Sequence, residues 1–451
     1  MPRKASVFAI IAATSTALAA MESPDFATAR RLITERMAAE AVPSVALSVV
    51  RDGHIIWEEG FNATASTPFA LASVTKTFTG RALTTLVERG RINLDRPVNA
   101  YLGRAKVHST VWDANEATVR RIASHTAGLT TYDRECDPHD RGCSMDDTIR
   151  HYAVMVRPPG RDFDYSNLDY GILGEVIARE TGQSFSVFLR DAIFRPLGML
   201  TCSLPAASNS TSPGASAALC SAHDLALFAQ SMSKARIDAL LAEAVSSGPG
   251  QRYAMGWWIQ DDYYGFQSVY GSGGTTKASA TLRLLPAENI GVAVLANKGT
   301  TLTDKAADAV LAELVPAIRE RQAASGVAGG PARPRPTASD ALAGTWKGII
   351  ATHEGNRPLV LRVNREGQVS AGLGAAIVSP LARGLATATR VFGTFVGDLR
   401  VADAPAPPYN LQIGLERNGE RLLGFVTTQP LPGQSGSPLS FWVELHKVTA
   451  D

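Results

Sequence analysis

The sequence lacks the features that mark several large classes of protein. Charged residues make up only 19% of its 451 residues, and the net charge is +2. So small a charge does not attract a polyanion, and nucleic acid is not expected as a partner. Beyond the N-terminus, no apolar run reaches the ~20 residues of a membrane-spanning helix. With 45% hydrophobic residues, the composition is that of a globular protein rather than a disordered, coiled-coil or collagen-like chain.

Two common hydrolase signatures and the usual metal-binding spacings are also missing. The chain contains no Gly-x-Ser-x-Gly and no His-Glu-x-x-His, which argues against an α/β-hydrolase or a zinc peptidase. Its four cysteines form no Cys-x-x-Cys pair, so neither a metal nor a cofactor is expected. The simplest disulfide scheme is the local pairing of Cys136 with Cys143 and of Cys202 with Cys220, with free buried thiols as the alternative.

The first 20 residues have the order of a secretory signal. Arg3 and Lys4 precede an apolar stretch at 5–13, and small residues follow at 17–20. This order predicts a signal peptide cleaved after Ala19 or Ala20, and therefore a periplasmic or secreted protein with no membrane span after cleavage. An uncleaved anchor or a buried helix is the alternative. Export also favours disulfides, because these form in oxidising compartments.

A change in composition divides the rest of the chain. Residues 322–339 are almost entirely Ala, Gly, Pro, Ser and Arg, and three prolines exclude a regular helix there. We therefore expect a linker at 322–339 between a first domain at 21–321 and a second at 340–451.

The hydrophobic patterns of the two domains differ. The first mixes predicted helices with predicted strands, and strands from its two ends could share one sheet. Its helices are predicted at 26–41 and 303–321, and its strands at 44–50, 55–60, 280–285 and 290–296. The second has only predicted strands, at 345–352, 358–363, 410–416, 421–428 and 439–447, with little signal between 371 and 408. It is expected to form a small antiparallel barrel or sandwich.

A Ser-x-x-Lys sequence is the first candidate for chemistry. Ser73 and Lys76 would lie on one face of a helix that begins near Ser73, where unpaired backbone N–H groups favour a developing alkoxide. Lys76 could act as a base only if burial keeps it neutral. A solvated helix face is the alternative, and the same spacing recurs at Ser231 and Lys234, where an exposed helix end is expected.

Two further elements accompany the first. Tyr165-Ser166-Asn167 is expected in a loop before a helix at 168–181, where the phenol could move a proton and Asn167 could bind a lysine or a carbonyl group. A packed aromatic residue is the alternative for Tyr165. The glycine-rich run at 270–274 precedes an apolar strand, so that its backbone could approach a ligand and present N–H donors. An ordinary hairpin turn is the alternative there.

In this order and separation, the three elements resemble the serine β-lactamase and penicillin-binding-protein superfamily, in its class C β-lactamase and esterase-like branch. The resemblance covers about residues 40 to 320. It implies an α/β (α+β) fold with an antiparallel sheet flanked by helices and a helical subdomain, and the second domain resembles a lipocalin-like module. The stretches that add to it are 124–129 (SHTAGL), 163–174 (FDYSNLDYGILG), 193–199 (IFRPLGM) and 285–291 (LPAENIG).

The resemblance implies a role for each candidate residue. Ser73 would be the acylated nucleophile, and Lys76 and Tyr165 would share the work of general base and acid. Asn167 would position the lysine and the substrate. The backbone N–H groups of Ser73 and Gly274 would form the oxyanion hole. His125 would be structural rather than catalytic.

The sequence departs from this superfamily at one position. Gly271 stands where Lys or His is common, and with Ser272 and Gly273 it would line the substrate site. Because that cation usually helps to bind a substrate carboxylate, the departure favours a neutral ester or amide, unless Lys277 or Arg283 substitutes for it. The expected partner is a small-molecule or peptide substrate. A β-lactamase, a D-Ala-D-Ala-type peptidase and an inactive binding protein remain alternatives.

Overall fold

The computed structural model describes residues 25–129, 144–205, 212–325, 341–374, 379–404, 406–432, 434 and 438–448. The predicted signal peptide, the predicted Cys136–Cys143 pair and most of the predicted linker lie outside these residues. None of the helices in the described ranges has the length and apolarity that a membrane crossing needs.

The first domain is built on an eight-stranded antiparallel sheet. Its strand order is β2-β1-β10-β9-β8-β7-β6-β5, and the short β3 and β4 pair separately. Because β1 pairs with β10, strands from both ends of the domain share one sheet, as the sequence predicted. The strands are β1 (Val45–Arg51), β2 (His54–Phe61), β3 (Phe69–Ala70), β4 (Leu219–Cys220), β5 (Val245–Gly248), β6 (Gln251–Ala254), β7 (Trp257–Tyr263), β8 (Phe266–Thr275), β9 (Ala278–Leu285) and β10 (Ile290–Ala296).

Helices cover both faces of this sheet. Alternate residues of β1 face opposite sides, so Leu47 packs with the first and last helices of the domain, whereas Ala46 belongs to the core under α2 and α8. The helices are α1 (Ala27–Glu40), α2 (Thr75–Glu88), α3 (Val119–Ala123), α4 (Met145–Tyr152), α5 (Asn167–Thr181), α6 (Phe185–Leu189), α7 (Pro213–Ser216), α8 (Ala222–Gln230), α9 (Lys234–Ala242), α10 (Leu302–Leu314) and α11 (Pro316–Ser325).

The end of the first domain differs from the prediction in two ways. The single helix expected at 303–321 is broken, because Pro316 excludes Val315 from the helical conformation and starts α11. In addition, α11 continues to Ser325, so Gln322 belongs to a helix and not to the linker. The segment Gln-Ala-Ala-Ser at 322–325 contains good helix formers, and the first proline comes only at Pro331.

The second domain is a nearly closed, barrel-like antiparallel sheet, as the sequence predicted. Its strand order is β14-β13-β12-β11-β19-β18-β17-β16-β15. The N–H of Ala386 in β15 donates to the carbonyl of Gly367, just before β13 (3.3 Å), so the two ends of the sheet approach each other. The strands are β11 (Gly344–Thr352), β12 (Gly355–Val363), β13 (Val369–Leu373), β14 (Ser379–Pro380), β15 (Ala382–Ala386), β16 (Arg390–Gly397), β17 (Tyr409–Asn418), β18 (Arg421–Gln429) and β19 (Leu439–Lys447).

The two domains pack directly on each other. Val156 of the first domain shares a buried apolar cluster with Leu423 and Trp442 of the second. The ring of Trp112 meets that of Trp442 edge-on, with ring centroids 5.5 Å apart. A cavity of about 290 Å³ lies beside this contact, lined by residues of both domains.

One of the two predicted disulfides falls within the described residues and is confirmed. Cys202 and Cys220 are bonded, and they join the loop after α6 to β4. Since β4 pairs with β3 just before Ser73, the disulfide helps to fix the chain on one side of the candidate site.

Candidate active site

Ser73 lies in a tight turn immediately before α2. Ala72, Ser73 and Val74 form a single 3₁₀ turn, so the α-helix begins two residues later than predicted. Ala72 has φ = 44°, in the left-handed region that is costly for a residue with a Cβ atom. The backbone is thus held in a strained conformation one residue before the candidate nucleophile.

Lys76 projects from the first turn of α2 into a buried site. Its side chain is only 1% exposed, and Nζ lies 3.1 Å from Ser73 Oγ, 2.6 Å from Asn167 Oδ1 and 3.1 Å from the Ala215 carbonyl oxygen. An ammonium group would donate to all three. A neutral amine would donate to Asn167 and Ala215 and accept the proton of Ser73. The three partners therefore satisfy both charge states that a general base must pass through.

Tyr165 packs directly beside this amine. Lys76 Nζ lies 4.7 Å from the centroid of the Tyr165 ring. The ring stacks on Trp258 (5.9 Å between centroids) and contacts His125 (4.6 Å). As predicted, Tyr165 lies in a loop just before a helix, and Asn167 is the first residue of α5.

The glycine-rich run forms part of β8 rather than a turn. A Cβ atom on Gly273 would lie 2.2 Å from the Leu71 carbonyl oxygen and 2.8 Å from Ser73 N, and one on Gly271 would lie 3.0 Å from Thr77 Cγ2. Gly274 is exposed, with no atom within 4 Å of that position. The lack of side chains therefore lets β8 lie against the Ser73 turn, while Gly274 stays accessible.

A buried histidine–carboxylate pair supports the Tyr165 ring. His125 Nδ1 lies 2.7 Å from Asp169 Oδ2, and the N–H of Ser166 points to the same nitrogen (3.3 Å). Burial lowers the pKa of His125 well below its usual range, and the charge of Lys76 acts in the same direction. Burial also raises the pKa of Asp169 well above its usual range, with a smaller contribution from Asp164. Both effects favour an uncharged pair beneath Tyr165.

The structure supports neither Arg283 nor Lys277 as a replacement for the cation that is missing at Gly271. Arg283 pairs with Tyr270 across the strands, whereas Gly271 pairs with Leu282, so Arg283 and Gly271 face opposite sides of the sheet. The Arg283 guanidinium group lies 4.4 Å from the Tyr270 ring centroid and donates to Ser268. Lys277 is exposed at the turn between β8 and β9. The proposed replacement by Arg283 is therefore wrong, and nothing places Lys277 at the site.

The second Ser-x-x-Lys sequence forms no comparable site. Ser231 follows the end of α8 and donates to the Phe228 carbonyl oxygen (2.7 Å). The Lys234 side chain is 87% exposed and pairs with Asp238 one turn further along α9. This agrees with the exposed helix end that was expected.

Comparison with known proteins identifies the family. Residues 29–317 match the family model described as Beta-lactamase, which is more than half of the chain. The chain belongs to this family of β-lactamase-fold serine hydrolases. The resemblance inferred from the motifs is thereby confirmed for the family and for the fold.

Curated relatives of this family member are distant. Over 331 residues it is 24% identical to Protein flp of Staphylococcus aureus (strain N315), covering 61% of this chain and 63% of that protein. Over 330 residues it is 28% identical to the unguisins hydrolase ungD' of Aspergillus campestris, covering 60% and 61%. The chain thus spans less than two thirds of the length of either relative.

Among solved structures, one resembles both domains of this chain and another resembles about two thirds of it. The octameric penicillin-binding protein homologue from Pyrococcus abyssi has a TM-score of 0.57 at 20% identity, over 92% of this chain and 100% of that one. A D-stereospecific amidohydrolase from Streptomyces has a TM-score of 0.53 at 21% identity, over 65% and 99%. At this identity the likeness establishes the fold alone.

Three features of this β-lactamase-family site were not predicted from the sequence. The Ala215 carbonyl group binds Lys76, Trp258 stacks on Tyr165, and Asp169 binds His125. A backbone carbonyl group has no sequence signal at all. Asp169 had one, since a carboxylate in an otherwise apolar helix segment two residues after Asn167 calls for a buried partner.

The described residues include one group that could hold a metal ion, and it lies in the second domain. His353 Nε2 is 3.4 Å from Asp403 Oδ1 and 3.8 Å from Glu354 Oε1. The Glu354 carboxylate already accepts the Ala402 N–H. These residues are not among those that contact Ser73 or Lys76, so the candidate chemistry uses none of them.

Proposed function

We propose that this protein is an exported serine hydrolase that cleaves an ester or an amide through an acyl-enzyme on Ser73. The contact between Lys76 Nζ and Ser73 Oγ, inside a buried site completed by Asn167 and Tyr165, carries this proposal. A lysine held in such surroundings can act as a base for the neighbouring hydroxyl group.

In the acylation step, Lys76 takes the proton of Ser73 while Oγ attacks the substrate carbonyl carbon. The N–H groups of Ser73 and Gly274 stabilise the resulting oxyanion, and one such donor contributes about 3–4 kcal/mol in related sites. Tyr165 gives its proton to the leaving alcohol or amine and recovers one from Lys76, so the site returns to its starting charge.

In the deacylation step, a water molecule takes the place of the leaving group. As the water attacks the acyl carbon, Tyr165 takes its proton and passes the phenol proton to the neutral amine of Lys76. Lys76 returns a proton to Ser73 Oγ when the acid product leaves.

The edge of β8 at residues 271–275 supports the proposed substrate site. Within the described residues β7 pairs with β8 only up to Tyr270, which leaves that edge for an extended substrate.

A neutral substrate is favoured over one with a carboxylate. Gly271 offers no cation, and Arg283 is engaged on the opposite face of the sheet. The names unguisins hydrolase and D-stereospecific amidohydrolase, given to a relative and to a structural neighbour, also support hydrolysis of amides or related bonds.

The test is covalent labelling of the purified protein with a fluorophosphonate, followed by intact mass measurement. One label per chain is expected, lost in Ser73→Ala and retained in Ser231→Ala, the matched control with the same spacing. Hydrolysis of nitrophenyl esters should exceed that of a chromogenic cephalosporin. An unlabelled wild-type protein would instead indicate a binding protein, and faster cephalosporin turnover would indicate a β-lactamase.

Export is tested separately. We expect the mature protein in the periplasm or the medium, with its N-terminus after Ala19 or Ala20. N-terminal sequencing of protein from each fraction decides this, and an intact Met1 would contradict it.

A further inference from the structure

We infer that the second domain positions the segment that delivers Tyr165 to the active site. The inference rests on the proposed role of Tyr165. It assigns a function to the second domain, which contains none of the proposed catalytic residues. The segment in question, called here the Tyr165 segment, comprises residues 157–164.

Three backbone hydrogen bonds attach the Tyr165 segment to the first domain. The N–H of Arg157 points to the Gly128 carbonyl (3.3 Å), that of Gly160 to the Thr126 carbonyl (2.7 Å), and that of Asp164 to the His125 carbonyl (2.8 Å). The segment forms no helix or strand of its own. Between these backbone hydrogen bonds, its conformation depends on contacts made by its side chains.

Two of those side chains, Arg161 and Asp162, form a closed ring of alternating charge with two side chains of the second domain. Arg161 donates two hydrogen bonds to Glu416, one of them at 3.0 Å, and pairs with Asp162 (2.7 Å). Arg390 lies 3.4 Å from Asp162 and 3.5 Å from Glu416. We call these residues, two from each domain, the ion-pair ring.

The second-domain half of the ring is rigidly placed. Arg390 and Glu416 are directly opposite each other on β16 and β17, so the sheet fixes their separation. Burial alone would raise the pKa of Asp162, but the hydrogen bond from Arg161 and the charges of Arg161 and Arg390 lower it below its usual range. Asp162 is therefore charged at neutral pH.

A second contact holds the start of the segment. The Arg157 guanidinium group lies over the Phe425 ring, 5.0 Å from its centroid, and pairs with Asp164 at 2.7 Å. Asp164 precedes Tyr165 directly. The second domain thus contacts the segment at Arg157 and again at Arg161 and Asp162. A shift of about 1 Å in a catalytic group can lower a rate by up to ~10²-fold.

The primary experiment compares two glutamine variants on the same hairpin. Glu416→Gln breaks the ring, and Glu420→Gln breaks the exposed Arg417–Glu420 pair beside it. We expect Glu416→Gln to lower kcat for a nitrophenyl ester about three- to tenfold with KM nearly unchanged, because the shift affects proton transfer rather than binding. Glu420→Gln should stay within about 1.5-fold of wild type. Equal kcat values for the two variants would overturn the inference.

A second measurement separates positioning from a general loss of structure. In a Tyr165→Phe background the phenol is gone, so the effect of Glu416→Gln on kcat should fall to about onefold. The same three- to tenfold loss in that background would show that the ring acts elsewhere and would refute the inference. Arg390→Lys, which keeps the charge, should restore most of the activity lost in Arg390→Gln.

The outcome is distinguishable from failure of the proposed function. If wild-type protein is not labelled at Ser73, the proposed function fails. If labelling is normal and Glu416→Gln behaves as wild type, only the role of the second domain fails.

Discussion

The chain contains the sequence Ser-x-x-Lys twice, and the two copies differ only in their surroundings. At Ser73 and Lys76, the lysine is buried and bonded to a serine, an asparagine and a backbone carbonyl. At Ser231 and Lys234, the serine binds its own helix end and the lysine extends into solvent toward Asp238. The spacing alone therefore carries little chemistry, and burial with fixed partners makes the first copy a candidate site.

The surroundings of the first copy come from three distant parts of the chain. β8 covers the Ser73 turn, α5 supplies Asn167, and α7 supplies the Ala215 carbonyl group. Ser231 lies at the C-terminal end of α8, where the helix dipole opposes an oxyanion. The comparison predicts that matched substitutions at the two copies will have very different effects.

The largest difference is expected between the two lysines. Lys76→Met keeps the length of the side chain but removes the base, so kcat/KM for ester hydrolysis should fall by at least about 10³-fold. Lys234→Met should leave kcat/KM unchanged, because this side chain is exposed. Both are measured with the same nitrophenyl ester.

The folding of both lysine variants must also be checked, because a substitution at the buried Lys76 could disturb the structure. Circular dichroism spectra that match wild type in both variants would assign the loss to chemistry. Comparable activity in the two variants would contradict the assignment of Lys76 and place the base elsewhere.

A smaller difference is expected between two neighbouring glycines of β8. In Gly273→Ala the new methyl group would meet the Leu71 carbonyl oxygen at 2.2 Å, so the strand must move away from the Ser73 turn. We expect kcat/KM to fall about 10- to 100-fold. Gly274→Ala keeps the backbone N–H of the proposed oxyanion hole, and its methyl group meets no protein atom within 4 Å, so its loss of activity should be smaller than that of Gly273→Ala.

This pair of variants also tests how β8 contributes. If Gly274→Ala is as damaging as Gly273→Ala, close packing against the Ser73 turn is not the reason for the glycines. Steady-state kinetics at several substrate concentrations would show whether the loss lies in kcat or in KM.

Much of the candidate site could be predicted because its residues carry local patterns. Ser73 and Lys76 are one turn apart, and Tyr165 and Asn167 precede a recognisable helix. The partners that were missed depend on tertiary packing. Ala215 contributes only a backbone atom, and Trp258 meets Tyr165 across 93 positions of sequence through the edge of the sheet.

The fold also contains elements that local sequence patterns predict and elements that they do not. Apolar strands such as β10 were predicted to the residue, because both of their faces are buried. The strands β13 to β16 were missed. β13 and β15 are short and contain Gly and Ala, whereas β16 alternates in burial and could have been predicted. The break at Pro316 could have been predicted from that residue alone.

The smallest effect that we predict concerns two histidines in different surroundings, His151 and His54. His151 stacks on His353 at the domain boundary, with ring centroids 4.8 Å apart. Burial lowers the pKa of His151, the nearby His353 adds to this, and Asp403 opposes it. A histidine whose pKa is lowered by folding stabilises the native state above its unfolded pKa of ~6.5, and this contribution is lost as the pH falls below that value.

Thermal unfolding between pH 7.5 and 5.5 tests this contribution. The midpoint should fall with pH, and His151→Gln should reduce that fall by about 1–2 °C, because the residue no longer binds a proton on unfolding. His54→Gln, at the exposed first residue of β2, is the matched control. If the midpoint changes equally with pH in His151→Gln and in wild type, burial at the domain boundary does not lower the pKa of His151. The side chain would then be more exposed than its stacking on His353 indicates.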